Sequence, residues 1–195
     1  TVNSSSGGIT IYVNGNKKCG IASDDYIHLL GGFVHVNAHA QKGKAVYGKD
    51  NIIIGGGVLR TYTDGLAGMG IASDSLLTIT GGLVKAITTG DALWDDTEQD
   101  YSSCCALKSE WDMNISGGEI YCFSTGTGGK GISAGHSEVV SETKTNFRGK
   151  LTIADADIYV RTSGKRVPEV KTEDLHGQKI EAAASLKGIK SADKI

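Results

Sequence analysis

A chain of 195 residues with a formal net charge of −2 presents no basic field of the kind that nucleic acid requires. None of its apolar runs approaches the roughly 20 residues of a membrane span, so no membrane insertion is expected. Gly is 28 of the residues and Pro only 1, which fits many turns between short strands rather than a low-complexity segment.

The first recognisable unit begins at Gly20-Ile21-Ala22-Ser23, continues through an alternating apolar run to Gly31-Gly32, and closes with Val34 and Val36. The next runs from Ala45-Val46-Tyr47-Gly48 through Ile52 and Ile54 to Gly56-Gly57 and Leu59. A third runs from Gly70-Ile71-Ala72-Ser73 through Leu77 and Ile79 to Gly81-Gly82 and Val84. After residues 91–104 the pattern resumes at Ala106-Leu107-Lys108-Ser109, Ile115, Gly117-Gly118 and Ile120. It resumes again at Gly131-Ile132-Ser133-Ala134, with a degenerate pair at Asp155-Ala156, and a half-unit stands at Gly188-Ile189-Lys190-Ser191. The Gly-Gly pairs are spaced 25, 25 and 36 residues apart, and the degenerate pair lies 38 further on. Apolar positions alternate with polar ones in every piece, which is the strand period.

A unit with three short strands cannot bury its own inner face, whereas stacked units can. The expected fold is therefore all-β: a right-handed parallel β-helix, a solenoid of about 25 residues per rung with three short strands in each. Residues 1–195 read as one domain, with insertions at about 91–104, 136–149 and 164–187; in the last, "KIEAAASL" suggests a short helix. The chain opens on Thr1 without a leader, which reads as a processed or excised chain, and both ends fall in mid-rung. Joined, the end and the start align without a gap on "GIASDSLLTI", which raises head-to-tail self-association into a filament.

The pieces "LTITGG" (Leu77–Gly82), "NISGGEI" (Asn114–Ile120), "STGTGGKGI" (Ser124–Ile132) and "LKGIKS" (Leu186–Ser191) resemble the β-helical carbohydrate-binding domain of secreted and surface proteins of Bacteroidetes and clostridia. The resemblance covers most of the chain from about Lys18 onward. It implies an architecture similar to pectate lyases, an extracellular or cell-surface location, and binding of acidic polysaccharide with calcium involved. The matched residues are corner and core positions, so they specify fold better than ligand.

Alternation places His35, Arg60, Lys85, Tyr121 and Tyr159 in one outward row, beside Asn37, Tyr62, Ile87, Phe123 and Arg161 in the next. Aromatic faces stack on sugar rings and Arg pairs with carboxylates, so this face is the candidate carbohydrate-binding surface; Trp94 in the acidic insertion is a further candidate contact, as a sugar-stacking pair with Tyr101. The competing reading is that such side chains only stabilise exposed strands. That would suit a structural stalk or filament subunit. Asp91, Asp95, Asp96 and Asp100 offer carboxylates for calcium, or else form a solvated acidic loop. A polysaccharide lyase would use Arg60 or Lys85 as base, but no acidic cluster accompanies them on that strand, so the pattern favours a binding module over an enzyme. Cys19, Cys104, Cys105 and Cys122 match neither a zinc nor a redox spacing; isolated thiols and a single disulfide are both compatible with them.

Overall fold

A computed structural model of the chain describes residues 1–195 other than 16, 98, 142–143 and 174–178, and leaves the side chains of 138, 139, 141, 144 and 180 undescribed as well. Strands dominate the described residues, and no helix occurs among them. A large parallel sheet runs Gly8–Val13, Phe33–Ala38, Val58–Thr63, Leu77–Thr88 and Met113–Ser124, ending on Leu151–Ile153 and Asp157–Thr162. Ile27–Leu29 and Ile52–Ile54 extend it beside Leu77–Thr88. A smaller parallel sheet is ordered Cys19–Ser23, Lys44–Gly48, Met69–Ser73, Cys105–Ser109, Lys130–Ala134 and Lys187–Ser191.

Register between neighbours follows the repeat. Val34 pairs with Leu59, Leu59 with Val84, Val84 with Ile120, and Ile120 with Ile158. In the smaller sheet Val46 pairs with Ile71, and Leu107 with both Ile71 and Ile132. These apolar side chains form one core with Leu77, Ile79, Met113 and Ile115; all are buried except Ile158, which is half-buried and packs against the rest. Each such burial stabilises by about 1.5–3 kcal/mol relative to an exposed side chain. Burial lapses at the late end of both sheets, where Ile153 and Ile189 are exposed although the alternation assigns them inward positions. They lie on the last strands of their sheets, which have a pairing neighbour on one side only.

The expectation of a right-handed parallel β-helix with three short strands per 25-residue rung is corrected by this arrangement. The strands form parallel sheets without closing into a solenoid. Two observations overturn the rung. First, the second and third pieces of a unit fuse: Leu77–Thr88 and Met113–Ser124 pass through their Gly-Gly pairs as continuous 12-residue strands. Where a corner was expected, their pairing shifts register on either side of Gly117 and carries on. Second, the insertions build structure of another kind. Leu93–Asp95 pairs with Asp100–Ser102, His136–Ser141 with Lys144–Arg148, and Val170–Glu173 with Lys179–Ala182, all antiparallel. The short helix expected in "KIEAAASL" is thus replaced, at Lys179–Ala182, by a hairpin strand. The physical reason is that side-chain alternation specifies which residues face inward. The course of the backbone through a Gly pair, whose second member lies at φ +74 to +90°, depends instead on contacts with the neighbouring strands.

Candidate functional site

The outward face of the large sheet carries two adjacent rows of side chains. Parallel register sets Thr10, His35, Arg60, Lys85, Tyr121 and Tyr159 side by side. The neighbouring row holds Tyr12, Asn37, Tyr62, Ile87, Phe123 and Arg161. Adjacent strands lie about 4.8 Å apart, so successive members of a row are in lateral contact range. Neither row contains an acid.

Arg60 and Lys85 are direct neighbours of like charge, an arrangement that costs stability in a sheet. They part in opposite directions. The Arg60 guanidinium lies 5.5 Å from the centre of the Phe33 ring, one strand back, and the Lys85 ammonium lies 6.0 Å from the Phe123 ring, one strand forward. A shallow groove of about 340 Å³ opens there, lined by His35, Asn37, Arg60, Tyr62, Lys85 and Ile87. Arg60, Lys85 and Arg161 have no ion-pair partner among the described residues. Beyond the groove, Tyr121 and Tyr159 stack at 4.9 Å with their planes 11° apart. The Tyr121 hydroxyl donates to the Glu119 carboxylate, which, with a smaller effect of burial, pushes the phenol up to about 12. It therefore stays neutral in any physiological medium.

The face thus brings together eight of the nine sequence-predicted carbohydrate-contact residues: His35, Arg60, Tyr62, Lys85, Tyr121, Phe123, Tyr159 and Arg161. Trp94 stands apart from them. It belongs to the hairpin of residues 93–102, where its ring meets Tyr101 edge-on at 5.0 Å and its indole N–H donates to Asp96 at 2.9 Å. Two residues on the face were not anticipated, Tyr12 and Phe33. Tyr12 is largely exposed and in register with Asn37. The alternation of Ile9, Ile11 and Val13 would have revealed it, because these residues pair with Val34, Val36 and Ala38.

The four aspartates proposed for calcium are each engaged separately. Asp91 accepts from the Thr127 amide at 2.6 Å, and Asp100 from the Tyr101 amide at 2.7 Å. Asp95 meets the Lys42 ammonium and accepts from the Thr97 amide, while Asp96 serves Trp94. Calcium takes six to eight oxygens. Among the described residues no three His, Cys, Asp or Glu side chains gather as a metal-holding group, and as placed the four aspartates do not fit one.

All four thiols are free. Cys104, Cys105 and Cys122 are buried, and burial pushes the first two up to about 12 and about 11 and raises the third well above the ordinary range. Such thiols are not nucleophiles at neutral pH. A thiol reagent should therefore titrate no more than one group rapidly in the native protein, Cys19, and all four in urea. Two or more rapid equivalents in the native protein would contradict the burial described here.

A wider opening of about 500 Å³ lies along the hairpin of residues 170–182. Lys171, Lys179, Glu173 and Glu181 line it with both signs of charge, and among the described residues no aromatic ring lines it on which a sugar could stack. The outer face of the large sheet is the stronger site. Comparison with curated proteins and comparison with solved structures each returned no match. A family model matches residues 4–195, nearly the whole chain, and on that match the chain belongs to the family of carbohydrate-binding domain-containing proteins.

Proposed function

We propose that the chain binds acidic polysaccharide outside the cell, along the outer face of the large sheet. Sugar rings would lie on Tyr62, Phe123, Tyr121 and Tyr159, and carboxylates would meet Arg60, Lys85 and Arg161. One observation carries this reading: two adjacent outward rows hold cations and aromatic rings, contain no acid, and leave Arg60 and Lys85 side by side without a counter-charge. A polyanion would supply that charge all along the rows, and guanidinium–carboxylate pairs are among the stronger hydrogen bonds. Family membership supports a carbohydrate as the ligand. Polymeric glycan, too large to cross a membrane unaided, is met at the cell exterior, which is why a secreted or surface location forms part of the proposal.

The stacked Tyr121–Tyr159 pair favours a second reading, in which the rows only stabilise the sheet of a structural stalk. Affinity electrophoresis through polygalacturonate and through a neutral glucan separates the two. Retardation by polygalacturonate alone, weakening as salt is raised, is expected for the acidic-glycan reading. Retardation by neither polymer, or by both equally, would overturn it. Repeating the run with calcium and with chelator tests whether the metal contributes.

A further inference from the structure

The smaller sheet has an outward face of its own, and the chain covers part of it. The hairpins of residues 93–102 and 136–148 flank a cavity of about 330 Å³ above this sheet. Its lining includes Lys108, Lys130 and Lys190. Register explains the convergence: Lys108 pairs with Ser133 and Ser133 with Lys190, while Lys130 stands on the same strand as Ser133. Three lysines and the Ser133 side chain thereby line one cavity, with Lys187 next to Lys130 in register.

Only one of the three is neutralised. Lys108 meets the Glu110 carboxylate at 2.5 Å, whereas Lys130 and Lys190 have no ion-pair partner among the described residues. Burial, and then the neighbouring lysines, hold both of their ammonium groups below the usual lysine range. Half-buried cations of like sign with no counter-ion among the described residues cost stability, and the cavity beside them has room for an anion.

The remaining lining narrows the ligand. The His136 Nδ1 lies 2.8 Å from the Glu110 carbonyl oxygen, which can only accept, so Nδ1 carries a proton and the ring's Nε2 edge is left free of that contact. His136, Ser133 and Tyr101 all line the cavity. An imidazole, a hydroxyl and an aromatic ring beside two cations with no ion-pair partner among the described residues suit a ligand that joins a carboxylate to hydroxyl groups. The volume lies at the small end of the range for ligand pockets, about 300–1,000 Å³, and admits a single sugar rather than a chain.

We propose that this cavity is a second carbohydrate site, separate from the outer face of the large sheet, that takes one acidic sugar residue, a uronate, through Lys130 and Lys190. The residue is either a free monosaccharide or the end of an acidic chain. The site does not depend on the large-sheet reading, since it uses another sheet and other residues.

Titration calorimetry on the full chain tests it, with galacturonate, galactose and inorganic phosphate as probes. Galacturonate should bind, with galactose and phosphate each at least about tenfold weaker. Lys130→Gln/Lys190→Gln should weaken galacturonate at least about tenfold, whether it is introduced into the wild type or into Arg60→Ala/Lys85→Ala, in which the outer face is disabled. Without ligand, the Lys130→Gln/Lys190→Gln protein should melt at or above the wild-type temperature, because it loses unpaired buried charge. In the Arg60→Ala/Lys85→Ala protein, a trigalacturonate that matches or exceeds the monosaccharide identifies a chain end as the natural source, and one that binds more weakly identifies the free sugar; either result retains the site. Equal binding of galactose would overturn the proposal, as would equal binding of phosphate, which marks a bare anion site. So would galacturonate affinity untouched by Lys130→Gln/Lys190→Gln in either background, or a lowered melting temperature in the ligand-free lysine variant.

Discussion

Arg60→Ala/Lys85→Ala is expected to fold normally and to lose roughly 100-fold in affinity for polygalacturonate. Each side chain can give a charge-assisted hydrogen bond to a carboxylate, worth about 1.5 kcal/mol at the low end appropriate to a solvent-facing groove, so the pair amounts to about 3 kcal/mol. The fold does not need them. Both point outward, neither has an ion-pair partner among the described residues, and they are like charges in register. The double variant should therefore melt within a few degrees of wild type. Affinity electrophoresis read beside a thermal melt distinguishes the two quantities. Undiminished retardation with an unchanged melt would remove the groove from the binding surface. A large drop in melting temperature would favour the stalk reading, in which these side chains act on the sheet itself.

Gly126→Ala is expected to cost about 3 kcal/mol of folding stability, near the upper end for overpacking, and to lower Tm by roughly 6–12 °C for a chain of this size. Gly65, Gly90, Gly126 and Gly164 form a column in which each Cα faces the carbonyl of the residue before it in the stack. A methyl group on Gly126 would lie 1.8 Å from the Gly90 carbonyl oxygen, and one on Gly90 would lie 2.0 Å from that of Gly65. One on Gly164 would lie 2.0 Å from the Gly126 oxygen. The obstacle is backbone rather than the flexible end of a side chain, so relief requires neighbouring strands to separate. Gly188→Ala is the control. Its added methyl would approach only a Val160 methyl, at 3.9 Å, and the substitution should be neutral or stabilise by up to about 1 kcal/mol. Urea midpoints for the two variants that agree within error would show that the column does not constrain the spacing of the strands.

How far the sequence reaches is best judged at particular residues. Val34, Leu59, Val84 and Ile120 share an inward row, while Arg60 and Lys85 share an outward one, because a strand alternates every second residue and the 25-residue step aligns equivalent positions. Both facts are local and periodic, so a string of letters carries them. The fusion of two strands through Gly81-Gly82 and Gly117-Gly118 is not written that way. Glycine permits a turn and a continuation alike, and pairing with adjacent strands selects the continuation. Trp94 and Tyr101 share the acidic insertion in the sequence, but their edge-on geometry comes from the antiparallel pairing of that segment, an arrangement with no repeat to copy. The lysine cavity is further from the letters still. Lys108, Lys130 and Lys190 stand on three different strands, and only the stacking of those strands, with two inserted hairpins beside them, turns three scattered cations into one site. By itself, then, the sequence determined which side chains share a face and which neighbour each one meets along a row, since period and repeat length suffice for that. Tertiary structure alone decided how the sheets are built and which inserted residues join a site, since those depend on hydrogen bonds and packing between segments far apart in the chain.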